Sequence, residues 1–177
     1  MAKSEIIKLR SEEYAPYYRE YTEHVSEGNL GEVLNSDRSE ISALFNALDE
    51  ENSLYRYADD KWSIKEILVH CLDTEIIFNA RALMFARGEQ NPILGYDHEA
   101  YVRQSRADEK KLEEIRAFWE VLRKTTIGLF SGFSDIELNR VGNANGNIMS
   151  VNSLVYIIPG HVLHHLGVIR EKYGVEF

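Results

Sequence analysis

The chain has 177 residues, of which 44% are hydrophobic and 28% are charged, and its formal net charge is −9. This length fits one domain, which we expect to span residues 1–177 and to bury a hydrophobic core without disulfides or a structural metal. The acidic balance argues against nucleic acid as a partner, because proteins bind phosphate backbones mainly through Lys and Arg.

The sequence also carries no sign of a disulfide framework or of a membrane segment. Cys71 is its single cysteine, so no internal disulfide can form. No run of about 18 apolar residues is present, and the first residues lack the apolar stretch of a secretory signal. We therefore expect a cytoplasmic protein that has no membrane partner.

Two helical segments are predicted in the first third of the chain. The first is short, is rich in aromatic residues and covers residues 14–27; the second covers residues 30–51. Apolar side chains recur in the second segment at the spacing of one helix face. They are Leu34, Ile41, Leu44, Phe45 and Leu48. This spacing predicts an amphipathic helix over residues 30–51.

The next helix is predicted to start after Ser63. Glu66 follows Ser63 three positions later and an apolar run comes directly after it, which is the capping-box pattern. This helix continues to near Gly88. A loop with a short turn of helix, residues 88–102, then leads to another helix over residues 108–131.

The last helix is predicted to run from a cap at Ser150 to about Tyr173, after a polar, Gly/Asn-rich connection over residues 135–150. Pro159 lies inside it and should kink the helix just before His161, because proline lacks an N–H and its ring clashes with the preceding turn. A helix that begins at Pro159 is the alternative. Four long helices, a short N-terminal one and few strand-like alternations predict an all-α four-helix bundle.

Three of the six histidines fall in the segment GHVLHHLGVIR, residues 160–170. A helix turns about 100° per residue, so His165 lies inside the apolar stripe of the last helix, His161 at its edge and His164 well outside it. The spacing of four residues places His161 and His165 on one face, where they can offer two metal ligands. This pair alone is weak evidence and needs a third ligand.

The candidate third ligand is His70, in the middle of the helix that follows the capping box. Taken alone, it is more simply interpreted as a core histidine bonded to a carboxylate such as Glu66 or Asp73. An inward HxxxH pair changes this balance, because three buried imidazoles without partners would be costly and a divalent metal removes that cost. The two remaining histidines are interpreted as surface or loop residues: His24 and His98.

Three segments resemble the DinB/YfiT-like superfamily. They are RYADDKWSIKEILVHCLDTE (residues 56–75), NARALMFARGEQNPILGYDHEAYV (residues 79–102) and GHVLHHLGVIREKYG (residues 160–174). The pattern W-S-x-K-E-x-L-x-H followed by a late H-x-x-H-H-x-G is specific. The resemblance implies a four-helix bundle, often homodimeric, that holds a metal with His70, His161 and His165. Pro159 departs from the family pattern, which usually has a helix former there.

The resemblance also implies a class of activity. Characterised members include thiol-dependent transferases and isomerases that use glutathione, mycothiol or bacillithiol, and many members have no assigned activity. Three histidines leave an open coordination position, as catalytic zinc sites do. Zinc is our first choice, with nickel, iron or manganese as alternatives. Such a metal lowers the pKa of a bound water to about 7 or deprotonates a bound thiol, so no cysteine of the chain need be catalytic.

Four further residues are candidates for supporting or substrate contacts. Ligand imidazoles usually donate their second N–H to an oxygen; Asp73, one turn from His70, is the first choice, and a helix-surface charge is its alternative. Asp97 is placed to reach the pocket mouth, although a turn or cap residue is the simpler interpretation. His164 is available for contacts at the rim. Arg81, three turns from His70 on the same face, either binds an anionic substrate group or, as we favour, forms a buried salt bridge.

Three functions follow from these patterns. The favoured one is a divalent-metal-dependent enzyme of the thiol S-transferase type that acts on a small molecule as a homodimer. The second is a non-catalytic metal- or ligand-binding bundle related to stress, and the third is a structural helical dimer with buried histidines. The sequence does not choose among the thiols, or between thiol transfer and hydrolysis.

Overall fold

A computed structural model of the protein describes residues 5–177; the first four residues of the predicted domain lie outside this range. In chain order, its α-helices are α1 (Arg19–Thr22), α2 (Leu30–Leu34), α3 (Arg38–Ala47), α4 (Ile64–Ala86), α5 (His98–Ser105), α6 (Leu112–Ser131), α7 (Asp135–Leu138) and α8 (Val151–Val168). Its strands are β1 (Ile6–Ile7), β2 (Gly28–Asn29), β3 (Val141–Ala144) and β4 (Asn147–Ser150).

The long helices pack as the predicted four-helix bundle. Helix α4 contacts both α6 and α8, and α2 contacts the same two helices from another side. Helices α2 and α3 follow one another and together supply the fourth member of the bundle. The all-α prediction is confirmed, with two small antiparallel strand pairs added, β1 with β2 and β3 with β4. Of the helices in the described range, none is long and apolar enough to cross a membrane.

The predicted helix over residues 14–27 is shorter than expected. Pro16–Tyr18 forms a single 3-10 turn, and α1 covers only the four residues that follow. Gly160 explains how α1 docks on α8: a Cβ atom there would lie 2.1 Å from the carbonyl oxygen of Tyr21, so only glycine permits this approach. The contact brings Tyr21 beside the histidines of α8.

The prediction of one continuous helix over residues 30–51 is wrong, because the structure divides it into α2 and α3. The break lies at residues 35–37 and turns Asp37 into the interior. There both carboxylate oxygens of Asp37 accept hydrogen bonds from Arg123 of α6, at 2.5 and 2.9 Å. The chain therefore leaves the helix at the position where a buried ion pair forms.

Helix α4 begins and ends as predicted. Ser63 Oγ accepts a hydrogen bond from the backbone N–H of Glu66 at 3.0 Å, and the Glu66 carboxylate accepts one from the N–H of Ser63 at 2.9 Å. This capping box satisfies two N–H groups that a helix would otherwise leave free. After Ala86, Gly88 adopts a φ of +88°, in the left-handed region that ends many helices.

Helix α6 starts at Leu112, later than the predicted residue 108. Ala107–Glu109 forms a separate 3-10 turn. Asp108 in this turn accepts hydrogen bonds from Ser63 Oγ at 2.5 Å and from Arg56 Nη2 at 2.6 Å. These bonds hold the turn against the start of α4, so it does not join the helix. The predicted short helix in the preceding loop is α5.

The predicted polar connection over residues 135–150 is wrong in part, because it contains α7 and a β-hairpin. Strand β3 pairs antiparallel with β4, and Ala144 lies opposite Asn147. Asn145, with a φ of +54°, and Gly146, with a φ of +77°, form the two-residue turn. Two left-handed residues are what a type I′ hairpin turn requires, and the Asn-Gly dipeptide is its sequence signal.

Helix α8 begins at the predicted cap, where Ser150 Oγ accepts the backbone N–H of Ser153 at 2.8 Å. It passes through Pro159, so the alternative of a helix that begins at Pro159 is wrong. Proline lacks the N–H that would bond to the carbonyl of Val155, four residues earlier. The chain continues as a π-helical turn, Ile169–Tyr173, and ends where the sequence predicts.

Two apolar clusters of buried side chains fill the interior. Their members include Leu30, Phe85, Phe130 and Ile157 in the first cluster and Leu44, Leu68, Trp119 and Leu166 in the second. Along α8, the first cluster ends at Ile158 and the second begins at Val162. His161 therefore lies at the boundary between the two clusters, where His70 of α4 contacts it.

Candidate metal centre

Three histidine side chains converge between α4 and α8. The Nε2 atom of His161 lies 3.2 Å from Nε2 of His70 and 3.2 Å from Nε2 of His165. Ring nitrogens of all three residues lie within 4.8 Å of one another. His70 and His161 are buried, and His165 is partly buried. The packing of α4 on α8 thus adds His70 to the i,i+4 pair of α8, and the three predicted ligand residues come together.

The hydrogen-bonding capacity of imidazole does not satisfy this arrangement. A neutral imidazole has one N–H donor and one acceptor nitrogen. Nε2 of His161 faces two other Nε2 atoms, and it can either donate to one of them or accept from one through its single lone pair. At least one of the two short contacts therefore lacks a proper hydrogen bond. A cation at the point where the three nitrogens converge would satisfy all of them, so the donor set fits a metal ion.

The environment keeps the three rings neutral. Burial, with a further contribution from the neighbouring imidazole of His98, lowers the pKa of His70 to about 4. Burial and the surrounding imidazoles lower the pKa of His165 to about 3 and hold the pKa of His161 well below its usual range. At pH 7 each ring therefore has a free lone pair, which is the form that binds a metal.

The histidines open into a cavity of about 340 Å³, called the histidine cavity below. Its walls carry six aromatic side chains, namely Tyr17, Tyr18, Tyr21, Trp62, Phe78 and Tyr96. The β3–β4 hairpin contributes Asn145 and Asn147, and the loop before α5 contributes Gly95. A Cβ atom on Gly95 would lie 2.4 Å from the side-chain oxygen of Asn145, so the loop and the hairpin approach each other closely there. No Asp or Glu is among the described residues that line this cavity.

His164 does not converge with the other three histidines. Its Nδ1 atom lies 3.0 Å from a carboxylate oxygen of Glu20, and its ring packs edge-on against Tyr21 with the ring centroids 5.5 Å apart. Helical geometry predicts this separation, because His164 lies outside the apolar stripe of α8. His164 therefore connects α8 to α1, beside the candidate site.

The structure places the two predicted aspartates away from the imidazoles. Asp73 lines a separate cavity with Val69, Leu72 and Lys110, and burial raises its pKa. Asp97 caps α5, where its carboxylate accepts the backbone N–H of Ala100 at 3.0 Å. In the part of the chain that the structure covers, no carboxylate hydrogen-bonds to a ring nitrogen of the three converging histidines. Neither aspartate therefore makes the hydrogen bond to a ligand imidazole that its predicted supporting role requires.

Arg81 lines the histidine cavity, as a substrate-binding residue would. The buried salt bridge favoured for it from the sequence is absent: Arg81 makes no ion pair with a carboxylate within residues 5–177. Its side chain is nevertheless buried, and its Nε atom has no hydrogen-bond partner. The guanidinium carbon lies 5.7 Å from the centroid of the Phe78 ring. The sequence does not reveal that Arg81 lacks a carboxylate partner, because the pairing depends on how the helices pack: Glu75 of α4 binds Arg123 instead.

Two residues of the site were not identified from the sequence as site residues. The ring centroid of Trp62 lies 4.8 Å from that of His70, and His98 lies 5.9 Å from the same ring. His98 is exposed, as predicted, but it stands at the start of α5 over the cavity. Trp62 Nε1 donates a hydrogen bond to Glu99 of α5 at 3.1 Å. The loop fold that brings α5 over α4 has no local sequence signal.

Comparison with known proteins places this chain in a family. The model of the DinB superfamily matches residues 34–169. No curated protein matches the chain. Among solved structures, YfiT from Bacillus subtilis, described as a probable metal-dependent hydrolase with an unusual four-helix bundle topology, has a TM-score of 0.67 at 15% identity, over 96% of this chain and 95% of that one. A mycothiol-dependent maleylpyruvate isomerase has a TM-score of 0.66 at 11% identity, over 82% of this chain and 60% of that one. At these identities the two structures share the fold.

Proposed function

Because this chain belongs to the DinB superfamily, we propose that it is a divalent-metal-dependent enzyme of the thiol S-transferase type. The observation that carries the proposal is the convergence of three neutral histidines at the wall of a cavity. His70, His161 and His165 would hold the metal, with zinc as the first choice. When bound, a divalent metal with an open position supplies Lewis acidity, which lowers the pKa of a coordinated thiol or water.

The residues around the histidines suit a small organic substrate. The six aromatic walls of the histidine cavity favour an apolar body, and a volume of about 340 Å³ lies within the usual range for a small-molecule site. The rings of Trp62 and Tyr21 pack against His70 and His161, with centroids 4.8 and 5.3 Å apart, and hold the two imidazoles in place. These contacts orient the metal-binding nitrogens before any ligand arrives.

The nucleophile of such a reaction would come from a cosubstrate. Cys71 is buried, and burial raises its pKa well above the usual range, so it is not an activated thiol. A low-molecular-weight thiol such as glutathione, mycothiol or bacillithiol would supply the sulfur. Hydrolysis is the other reaction that such a metal would support, and His98, which lines the described part of the cavity, would be its candidate general base.

A non-catalytic metal- or ligand-binding bundle is the alternative, and an activity assay separates it from the proposal. Zinc-loaded protein is mixed with glutathione or bacillithiol and a model electrophile, 1-chloro-2,4-dinitrobenzene, and thioether formation is followed by absorbance. We expect catalysis by the wild type and by His164→Ala, and a rate at the uncatalysed background for His165→Ala. Zinc binding without thioether formation with either thiol would favour the non-catalytic alternative.

The homodimer is also part of the proposal. It is a property of many members of the superfamily that the sequence resembles. Light scattering of the purified protein measures the molecular mass directly, and we expect twice the mass of one chain.

A further inference from the structure

Arg81 is a buried cation without a counter-charge. Only 6% of the residue is exposed, and no described carboxylate lies within ion-pair distance of it. Its Nε atom is buried and unpaired. Burying an unpaired charge costs several kcal/mol, and a helix former such as Leu or Met would fill the same space without that cost. A protein keeps such a residue at a functional position more readily than at a purely structural one.

The described surroundings of Arg81 contain hydroxyl groups and no carboxylate, a composition that suits an anion. No Asp or Glu lines the described part of the histidine cavity, although the chain as a whole has a formal charge of −9. Tyr18, Tyr96 and Thr74 line the same cavity as Arg81. Thr74 Oγ1 and Tyr96 Oη lie 3.0 Å apart. Burial raises the pKa of Tyr18 and of Tyr96, and the charge of Arg81 opposes that rise in both. The two phenols therefore remain protonated and can donate hydrogen bonds.

We propose that Arg81 is an anion-binding residue of the histidine cavity, which pairs with the carboxylate of a small organic substrate. A guanidinium binds a carboxylate through two parallel N–H···O bonds, and the tyrosine hydroxyls add donors beside it. The identification of this anion as the substrate rests on the proposed function, whereas anion binding itself does not require a metal.

The position of Phe78 limits the length of this substrate. The Phe78 ring centroid lies 5.7 Å from the Arg81 guanidinium carbon and 6.4 Å from the centroid of the His161 ring. Arg81 and His161 therefore both lie beside one aromatic side chain. A ligand that reaches both residues has its carboxylate and its reactive atom separated by a short chain or one ring. Its body would lie against the aromatic walls.

Benzoate and benzamide form a matched pair of probes, since they have the same shape and differ in charge. Binding of each is measured by calorimetry on the metal-free protein, so that carboxylate binding to a metal does not contribute. We expect benzoate to bind the wild type and benzamide to bind about tenfold more weakly or not at all, as expected for loss of a hydrogen bond between charged groups.

Three variants assign the effect to Arg81. Arg81→Met should lower the benzoate affinity by about tenfold or more, and Arg81→Lys, which keeps the charge without the fork, should lie between it and the wild type. Arg87→Met, the same change at the exposed residue that directly follows α4, should bind benzoate as the wild type does. His165→Ala should also bind benzoate.

The outcomes separate this inference from the proposed function. Equal binding of benzoate and benzamide, undiminished benzoate binding by Arg81→Met, or no benzoate binding by the wild type at millimolar concentration would overturn the inference. Retention of zinc by Arg81→Met would show that the metal site is intact in that variant. Benzoate binding that depends on Arg81 in a protein that binds no zinc would uphold the anion site and sink the proposed enzyme.

Discussion

Two polar regions lie inside this bundle, and each contains a buried arginine. The two arginines differ in whether a carboxylate pairs with them. Arg123 of α6 and Arg81 of α4 have the same exposed fraction, 6%. Arg123 donates hydrogen bonds to both oxygens of Asp37 and both oxygens of Glu75, whereas Arg81 has no described carboxylate partner. We call the first group, Asp37, Glu75 and Arg123, the ion cluster.

The ion cluster is closed to further partners. Its arginine also donates to the carbonyl oxygen of Leu34, and Thr126 donates to Glu75 at 2.6 Å. Burial opposes the charge of Arg123, but the two carboxylates outweigh it and raise the pKa of the guanidinium above its ordinary value. The histidine cavity instead leaves a cation and three imidazoles without matching groups. The difference is consistent with a structural role for the ion cluster and with the ligand-binding role proposed for the histidine cavity.

The largest effect is expected from Arg123→Met. It leaves Asp37 and Glu75 buried without their counter-charge, and breaking a buried pair in this way costs about 3–5 kcal/mol. Urea unfolding followed by circular dichroism measures the loss, with Arg87→Met as the control at an exposed ion pair. A change below 1 kcal/mol, on the order of a surface pair, would remove the structural half of the comparison.

Zinc should stabilise the folded protein through the histidine cavity and not through the ion cluster. A ligand that binds only the folded state at 100 times its Kd adds about 2.7 kcal/mol to the free energy of unfolding. We expect a corresponding rise in Tm for the wild type and for Thr126→Val, which keeps the three histidines. His165→Ala should show no rise. A zinc-dependent rise in His165→Ala equal to that of the wild type would place the metal elsewhere.

Two threonines give a smaller, matched test. Thr126→Val removes a donor from the buried Glu75 and should cost about 1–2 kcal/mol. Thr74→Val removes the bond to Tyr96, whose hydroxyl lines the open cavity and can turn to water, so the expected cost is about 0.5 kcal/mol. Equal costs in denaturant unfolding would mean that the two regions do not differ in how tightly they are closed.

The smallest change in stability is expected from Arg81→Met. Replacing a buried, unpaired charge by an apolar side chain of similar length relieves its desolvation, so the free energy of unfolding should stay within about 1 kcal/mol of the wild type or rise. Differential scanning calorimetry on the metal-free protein measures it. A loss similar to that of Arg123→Met would assign Arg81 a structural role.

The sequence predicts the parts of this protein that depend on local spacing. The capping box at Ser63, the cap at Ser150 and the inward orientation of His161 and His165 follow from residues within one or two helical turns. The Asn145-Gly146 turn has an equally local signal, the Asn-Gly dipeptide, which the prediction of a plain connection over residues 135–150 does not use.

The remaining features depend on contacts between distant parts of the chain. The break between α2 and α3 follows from the ion pair of Asp37 with Arg123, which no pattern near Asp37 indicates. Arg81 was expected to find a carboxylate, but Glu75, six residues earlier on the same helix, binds Arg123 instead. Which charges pair in a core is decided by the packing of whole helices, and periodicity along one helix cannot show it.

The metal content of the purified, untagged protein is the most direct test of the three-histidine site. Elemental mass spectrometry is applied to the wild type, to His165→Ala and to His164→Ala, each reconstituted with zinc, nickel or manganese and then desalted. We expect about one metal ion per chain in the wild type and in His164→Ala, and a loss of at least tenfold in His165→Ala. No retained metal in the wild type, or equal metal in His165→Ala, would contradict the metal centre.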